Sequence, residues 1–330
     1  MRKIKYPKFI QENETIGITA LSAGVGRKID SFNKSLESLK KNRFNIIETE
    51  NVRVNSEVSS SAEERAKELN ELVIDKNISM IMCASGGDFL LEILPYVNYD
   101  NISKNPKWIM GASDPSSILY VITTKLDIAT LYGLNAGSYD QDELHESLKN
   151  NLEILKGNIV VQNSFDLYQI EEDTNLDGYN LTEKVKWNSL NGECEIEGRI
   201  IGGCIDVLRY LLGTPNDYTE KFIEKYKDDG IVWYFDIYAL SSEDFYLTLL
   251  QMKEAGWFKY IKGIIVGRVR YPQTFTSVTY EDALLKVFSD IPTIFNADIG
   301  HVSPKMSLIN GALTNIKCKD GKGIVEFKLE

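Results

Sequence analysis

Ile78-Ser-Met-Ile-Met-Cys-Ala-Ser-Gly-Gly-Asp88 is a short, almost wholly apolar run that breaks on a pair of glycines. A strand with one wet face would alternate; a run this continuous reads as a strand covered on both faces. Working outward, the same pattern recurs on either side. Thr15–Leu21 reads as a strand, Asp30–Phe44 carries Phe32, Leu36 and Leu39 at helical spacing, and Phe44–Glu48 returns to an extended pattern. Ser61-Ala-Glu-Glu64 is a capping box ahead of a helix reaching about Asp75. Phe89–Tyr96 reads as helical, Trp108–Ala112 as a strand and Pro115–Leu126 as a helix. Strand and helix alternating through short connections predict a parallel sheet with helices on both faces.

That makes residues 1–160 an N-terminal α/β domain, doubly wound in the flavodoxin-like manner. The texture then changes. Asn163–Glu193 is polar and without clear periodicity, so 161–195 reads as a crossover or substrate-facing loop. Residues 196–330 read as a smaller, mixed α/β domain. It carries Arg199–Gly213, the strand-like Ile231–Asp236, a helix from about Glu243 to Ala255, the strand-like Ile261–Val266, and a terminal hairpin turning at Asp320-Gly321. At 330 residues two packed domains are the ordinary expectation.

A net charge of −11 and a pI near 5.0 argue against nucleic acid or an anionic membrane surface as the main partner. The four cysteines are scattered without a CxxC pair and read as free thiols in a reducing compartment. The basic start Met1-Arg-Lys-Ile-Lys-Tyr-Pro7 is followed by no apolar core of a signal peptide, and the expected location is the cytoplasm. Neither H-E-x-x-H nor a P-loop is present, so neither a metal nor a cofactor is expected.

Two segments could carry chemistry. Gly111-Ala-Ser113-Asp-Pro115 lies where a buried strand should turn into a helix. Such a turn lifts a serine hydroxyl out of the sheet, beside backbone N–H groups that could hold an oxyanion. It could equally be a helix cap, since the sequence is not G-x-S-x-G. Ser85-Gly-Gly-Asp88 offers either an oxyanion-hole loop or a plain tight turn. Of the two histidines, His145 falls in a polar amphipathic segment and reads as a solvated helix residue. His301, in the loop Asp298-Ile-Gly-His-Val-Ser-Pro304, is the better candidate for a general base.

Together these segments resemble the LD-carboxypeptidase family of serine peptidases, including its microcin-immunity branch. Ser61-Ala-Glu-Glu-Arg65, Ser85-Gly-Gly87, Asn105-Pro-Lys…Gly111-Ala-Ser113-Asp114, Gly198-Arg-Ile-Ile-Gly-Gly203 with Leu212-Gly-Thr-Pro215, and Asp298-Ile-Gly-His301 stand in the family's order. The resemblance implies a Ser–acid–His triad of Ser113, Asp236 and His301. The N–H groups of Gly87 and Asp114 would form the oxyanion hole, with Gly86, Asp88 and Trp187 facing the substrate. The family's acid is Glu; here Ile231-Val-Trp-Tyr-Phe-Asp236 ends on Asp, one methylene shorter. Ala112, Pro115-Ser116 and Leu134-Asn-Ala-Gly137 also depart from the family pattern around the cleft. The implied reaction is hydrolysis of an amide in a small peptide-like substrate, a murein tetrapeptide or an aminoacyl-nucleotide toxin, through an acyl-enzyme. The implied assembly is a homodimer. A non-catalytic ligand binder with a degenerate triad is the competing reading.

Overall fold

The computed structural model describes residues 3–173 and 175–330. Met1 and Arg2 of the basic start, and Thr174 inside the polar crossover, lie outside the described residues. The chain divides into two compact units, Met1–Val160 with Thr174–Gly178, and Val161–Asp173 with Tyr179–Glu330. The second is not the smaller of the two, because nearly all of the polar crossover packs into it.

The first unit runs β1 (Thr15–Thr19), α1 (Ile29–Lys41), β2 (Asn45–Glu48), α2 (Ala62–Ile74), β3 (Ile78–Cys83), α3 (Tyr99–Lys104), β4 (Trp108–Gly111), α4 (Ser116–Leu126), β5 (Thr130–Tyr132) and α5 (Glu146–Leu155). Its five strands are parallel, in the order β2-β1-β3-β4-β5. Connections leave the neighbouring strands β1 and β3 in opposite directions. Strands arranged this way splay their carboxyl-end loops apart into a crevice, where ligands bind in open α/β sheets. The loops after β1, β3, β4 and β5 all open there.

Local signals explain the elements. The Ser61 hydroxyl accepts the Glu64 N–H at 3.2 Å and starts α2, while Ala66, Leu69, Leu72 and Val73 bury one stripe of it. Asp30–Phe44 is shorter than expected and ends at Lys41, with Asn42 as cap and Arg43 at φ 65° turning the chain into β2. Leu90–Tyr96 is a 3₁₀ helix rather than an α-helix. Pro95 within it has no N–H to give to an α-helical ladder.

The second unit holds β6 (Gln162–Asn163), β7 (Leu167–Tyr168), β8 (Glu183–Lys184), β9 (Asn188–Ser189), β10 (Cys194–Cys204), α6 (Ile205–Leu208), α7 (Thr219–Lys225), β11 (Ile231–Asp236), α8 (Ser242–Glu254), β12 (Ile261–Gly267), α9 (Tyr280–Val287), β13 (Thr293–Ala297), β14 (Leu308–Asn310), β15 (Leu313–Lys319) and β16 (Lys322–Lys328). An eight-stranded sheet runs β6-β16-β15-β10-β11-β12-β13-β9. Its centre, β10 to β13, is parallel and its flanks are antiparallel. Every residue of β11 is buried, and Trp233 stacks on Trp257 with ring centroids 5.6 Å apart. Asp320 (φ 50°) and Gly321 (φ 76°) make the turn between β15 and β16; both central residues need φ > 0 in a type I′ hairpin.

Cys83, Cys204 and Cys318 are buried and Cys194 is half-buried, and none of the four is in a disulfide. The β10–β15 register sets Cys194 directly opposite Cys318, a neighbourhood hidden by their separation in sequence. No helix among the described residues is long and apolar enough to cross a membrane.

Candidate active site

In the first unit, the turn from β4 to α4 puts Ser113 at φ 68°. A residue with a Cβ is strained there, typically by about 1–3 kcal/mol, and such strain is held only where neighbours over-determine it. Several neighbours do. Asn135 clamps the preceding residue from both sides: its Oδ1 accepts the Ala112 N–H at 2.9 Å and its Nδ2 donates to the Ala112 carbonyl at 3.2 Å. The Ser113 N–H points to the Tyr132 hydroxyl at 3.4 Å, and the Ser113 carbonyl accepts the Ser116 N–H at 2.9 Å. Gly111 is required because a Cβ there would lie 2.6 Å from that of Pro115. Pro115 itself is the N-cap residue and not the first residue of α4.

The glycine pair after β3 lies against this serine. A Cβ on Gly86 would sit 2.9 Å from Ser113 Cβ and 3.1 Å from its Oγ. Gly87 has φ 148°, and a Cβ on it would come within 2.2 Å of Ser22 Oγ. Among the described residues, neither the Gly87 N–H nor the Asp114 N–H donates to a protein acceptor. Asp88 is exposed at the tip of the same loop.

Asp114 does more than offer its N–H. Its carboxylate is buried, and Oδ2 accepts from Ser22 Oγ at 2.5 Å and from the Leu90 N–H at 2.8 Å, tying the loops after β1, β3 and β4 together. The sequence holds no signal for this, because the three loops meet only through the strand order. Burial pushes the Asp114 carboxyl above the usual carboxylate range, against the hydrogen bonds from Ser22 and Leu90. The folded chain therefore holds that proton more tightly than the unfolded chain. The associated stability is present below the unfolded pKa and is lost as pH rises through the folded value. Asp114→Asn is expected to remove this contribution. Urea unfolding between about pH 4 and pH 7 should show a stability difference, wild type minus variant, that falls as pH rises; a difference that is flat or grows would refute it.

In the second unit, Asp236 ends β11 and is fully buried, and His301 lies in the loop after β13. His301 Nδ1 is 2.7 Å from Asp236 Oδ2, and the His301 N–H reaches Oδ1 at 3.2 Å. The ring contact is close but off the N–H direction, so it falls short of a well-aligned hydrogen bond. The shorter Asp still reaches the imidazole, and the reason lies in the backbone. Gly300 has φ 95°, and a Cβ on it would lie 2.0 Å from Asp236 Oδ1. Under the triad that the family resemblance implies, Gly300→Ala is expected to drive the carboxylate off the ring and slow fluorophosphonate labelling of Ser113 by roughly 10²-fold, the scale of a misplacement near 1 Å. Labelling at the wild-type rate would rule that out.

Tyr238 packs on the imidazole at 4.7 Å between centroids. The β10–β11 register pairs Cys204 with Asp236, and the ligand atoms of Cys204, Asp236 and His301 lie within 4.8 Å of one another. Burial, with Asp236 and Asp206 nearby, holds the Cys204 thiol well above its ordinary pKa, so metal capture here would have to remove a tightly held proton.

Trp187 and His145, and two carboxylates that could have replaced Asp236 as partner of His301, Glu243 and Asp298, are engaged elsewhere. Trp187, read as a substrate contact, is 1% exposed. Its Nε1 donates to Asp298 Oδ2 at 2.9 Å, and its ring fills the space beside Gly323. Enclosed in this way it has no open face to stack on a ligand. His145 is not a solvated helix residue but the N-cap of α5, half-buried, with Nδ1 accepting the Ser147 N–H at 3.1 Å. Glu243 accepts from the Phe275 and Thr276 N–H groups and the Thr276 hydroxyl, which lower its pKa to about 2. Asp298 is ion-paired to Arg268 and takes the Phe165 N–H and the Trp187 indole N–H. Both carboxylates are committed to loops other than that of His301.

Residues 16–133 match the LD-carboxypeptidase N-terminal domain and residues 197–316 the LD-carboxypeptidase C-terminal domain. A protein of Vibrio cholerae named as a carboxypeptidase is 26% identical over 259 residues, 75% of each chain. The microcin C7 self-immunity protein MccF of Escherichia coli is 30% identical over 176 residues, 47% of this chain and 48% of its own. An MccF-like protein from Streptococcus pneumoniae, solved in complex with AMP, superposes with a TM-score of 0.79 at 27% identity, over 96% of this chain and 98% of its own.

Proposed function

The chain belongs to the LD-carboxypeptidase family, and on that premise we propose that it is a serine-type hydrolase that cleaves an amide in a small peptide-like substrate. Ser113 Oγ attacks the scissile carbonyl and His301 takes its proton. The Gly87 and Asp114 N–H groups receive the developing oxyanion, and His301 returns the proton to the leaving amine. Water then attacks the acyl-enzyme along the same route. Asp236 holds the imidazole in the tautomer that leaves Nε2 free to accept. The reading requires Ser113 and His301 to act on one carbonyl, with Gly86 and Asp88 bordering the substrate.

The observation that carries it is the strained elbow at Ser113, flanked by two N–H groups without protein acceptors. A serine that merely capped α4 would not need φ > 0 or the Asn135 clamp. Two substrate classes follow from the family resemblance, a murein tetrapeptide and an aminoacyl nucleotide. Incubation of the chain with each, read by mass spectrometry, should release a terminal amino acid from the first or split the amide of the second. A serine-directed fluorophosphonate should label wild type and leave Ser113→Ala unlabelled. Equal labelling of both, or of neither, would leave the non-catalytic binder as the surviving account.

A further inference from the structure

We propose that Cys194 and Cys318 form a redox-modification site, a pair of thiols that a small-molecule disulfide converts reversibly into a cross-strand disulfide. Cys194 opens β10, Cys318 lies near the end of β15, and the antiparallel register sets the two directly opposite. Residues so placed send their side chains from the same face of the sheet. Their Cα atoms stand about 4.5–5.5 Å apart, inside the roughly 4.4–6.8 Å that a disulfide spans.

The surroundings bring both sulfurs to one place. Ser189 touches each of them: its hydroxyl lies 3.3 Å from Cys194 Sγ, and its backbone N–H faces the Cys318 sulfur. On the far side of Cys318 the register places Gly323, and the Trp187 ring fills the space that a side chain there would take. Opposite Cβ atoms stand about 4.5–5.5 Å apart, against about 3.5–4.5 Å in a disulfide, so one strand end has to move inward by roughly 1 Å. Cys194 is at such an end. Asn191, Gly192 and Glu193 before it are exposed, and a Cβ on Gly192 would meet nothing within 4 Å. The strain of that approach makes the bond easy to reduce, as suits a reversible modification.

Exposure sets the order of events. Cys194 is half-buried whereas Cys318 is 2% exposed, so an incoming disulfide reaches Cys194 first. The Cys194 thiolate attacks one sulfur of oxidised glutathione and the S–S bond breaks. Glutathione leaves as a thiolate that takes up the proton Cys194 released. The Cys318 thiolate then attacks Cys194 Sγ in the mixed disulfide, and the second glutathione leaves in the same way. Two protein thiols are oxidised, and one glutathione disulfide is reduced to two thiols. Burial raises both protein thiols above their ordinary pKa and pushes Cys318 up to about 11, which slows the exchange at neutral pH.

The test is to incubate the whole chain with oxidised glutathione at mildly alkaline pH, alkylate the remaining thiols and measure intact mass. Wild type should take up two fewer alkyl groups than the reduced chain. Its unreduced digest should join the peptides of Cys194 and Cys318, and excess dithiothreitol should restore both thiols. Cys318→Ser should stop at the mixed disulfide, with one glutathione held on Cys194. Cys194→Ser, the gentler change because the position is half-buried, should form no internal bridge. A link through Cys83 or Cys204, two chains joined through Cys194, a glutathione that stays on Cys194 in wild type, or no reaction would each overturn the pair. Because covalent mass is read without turnover, the outcome is independent of the hydrolytic reading.

Discussion

Replacing Ser113 with alanine is expected to abolish fluorophosphonate labelling and to lower turnover of whichever amide is cleaved by as much as about 10⁶-fold, the scale of losing a nucleophilic serine. Stability should barely change, because alanine keeps the Cβ and therefore the strain at φ 68°. Ser113→Gly separates the two effects. It removes the nucleophile as completely, yet glycine adopts positive φ freely, so unfolding free energy should rise by about 1 kcal/mol. That pairing, activity lost in both and stability gained in only one, is what a site holding strain for function produces. If Ser113→Gly were no more stable than Ser113→Ala, the elbow would not be strained. If Ser113→Ala kept wild-type turnover, the serine would have no part in the chemistry.

Asp236→Asn is the second large effect. The side chain keeps its shape and one carbonyl oxygen for the His301 N–H, so the fold should persist. What changes is the partner facing Nδ1, now able to be an amide N–H, which favours the imidazole tautomer that cannot accept a proton at Nε2. A loss on the order of 10⁴ in kcat with little change in KM is expected, as for the corresponding change in a serine-protease triad. Steady-state kinetics on the substrate found by mass spectrometry would decide it. A variant retaining more than a tenth of wild-type kcat would remove Asp236 from the mechanism. Asp236→Glu, which restores the family's residue, should not improve activity. With Oδ2 already 2.7 Å from Nδ1 in a fully buried position, an added methylene overpacks the site.

Periodicity and local chemistry made most of the elements legible. The buried β3 run, the Ser61 cap, β11 and the Asp320-Gly321 turn follow from short-range physics, since burial on both faces, capping and positive φ each leave a mark within a few residues. The same holds for the candidates themselves. Ser113, the glycine pair and His301 each sit at a break between elements, where function concentrates.

Trp187 shows where such reasoning stops. Its alternation with Lys184 and Lys186 is visible in the sequence, but which side faces a core is not. The indole found a buried carboxylate, Asp298, 111 residues away, and the lysines were left outside. The reach of Asp236 was equally undecidable, because it depends on a missing Cβ at Gly300 in a loop 64 residues on. So were Asp114 as a tie between three loops, Cys204 beside Asp236, and Cys194 opposite Cys318. Residue types and their local spacing settled the strand–helix alternation, the glycine turn and the serine at a strand end, because backbone preferences act over a turn or two of chain. Strand order and register decided which distant side chains share one space, because those are set by long-range packing that no local pattern records.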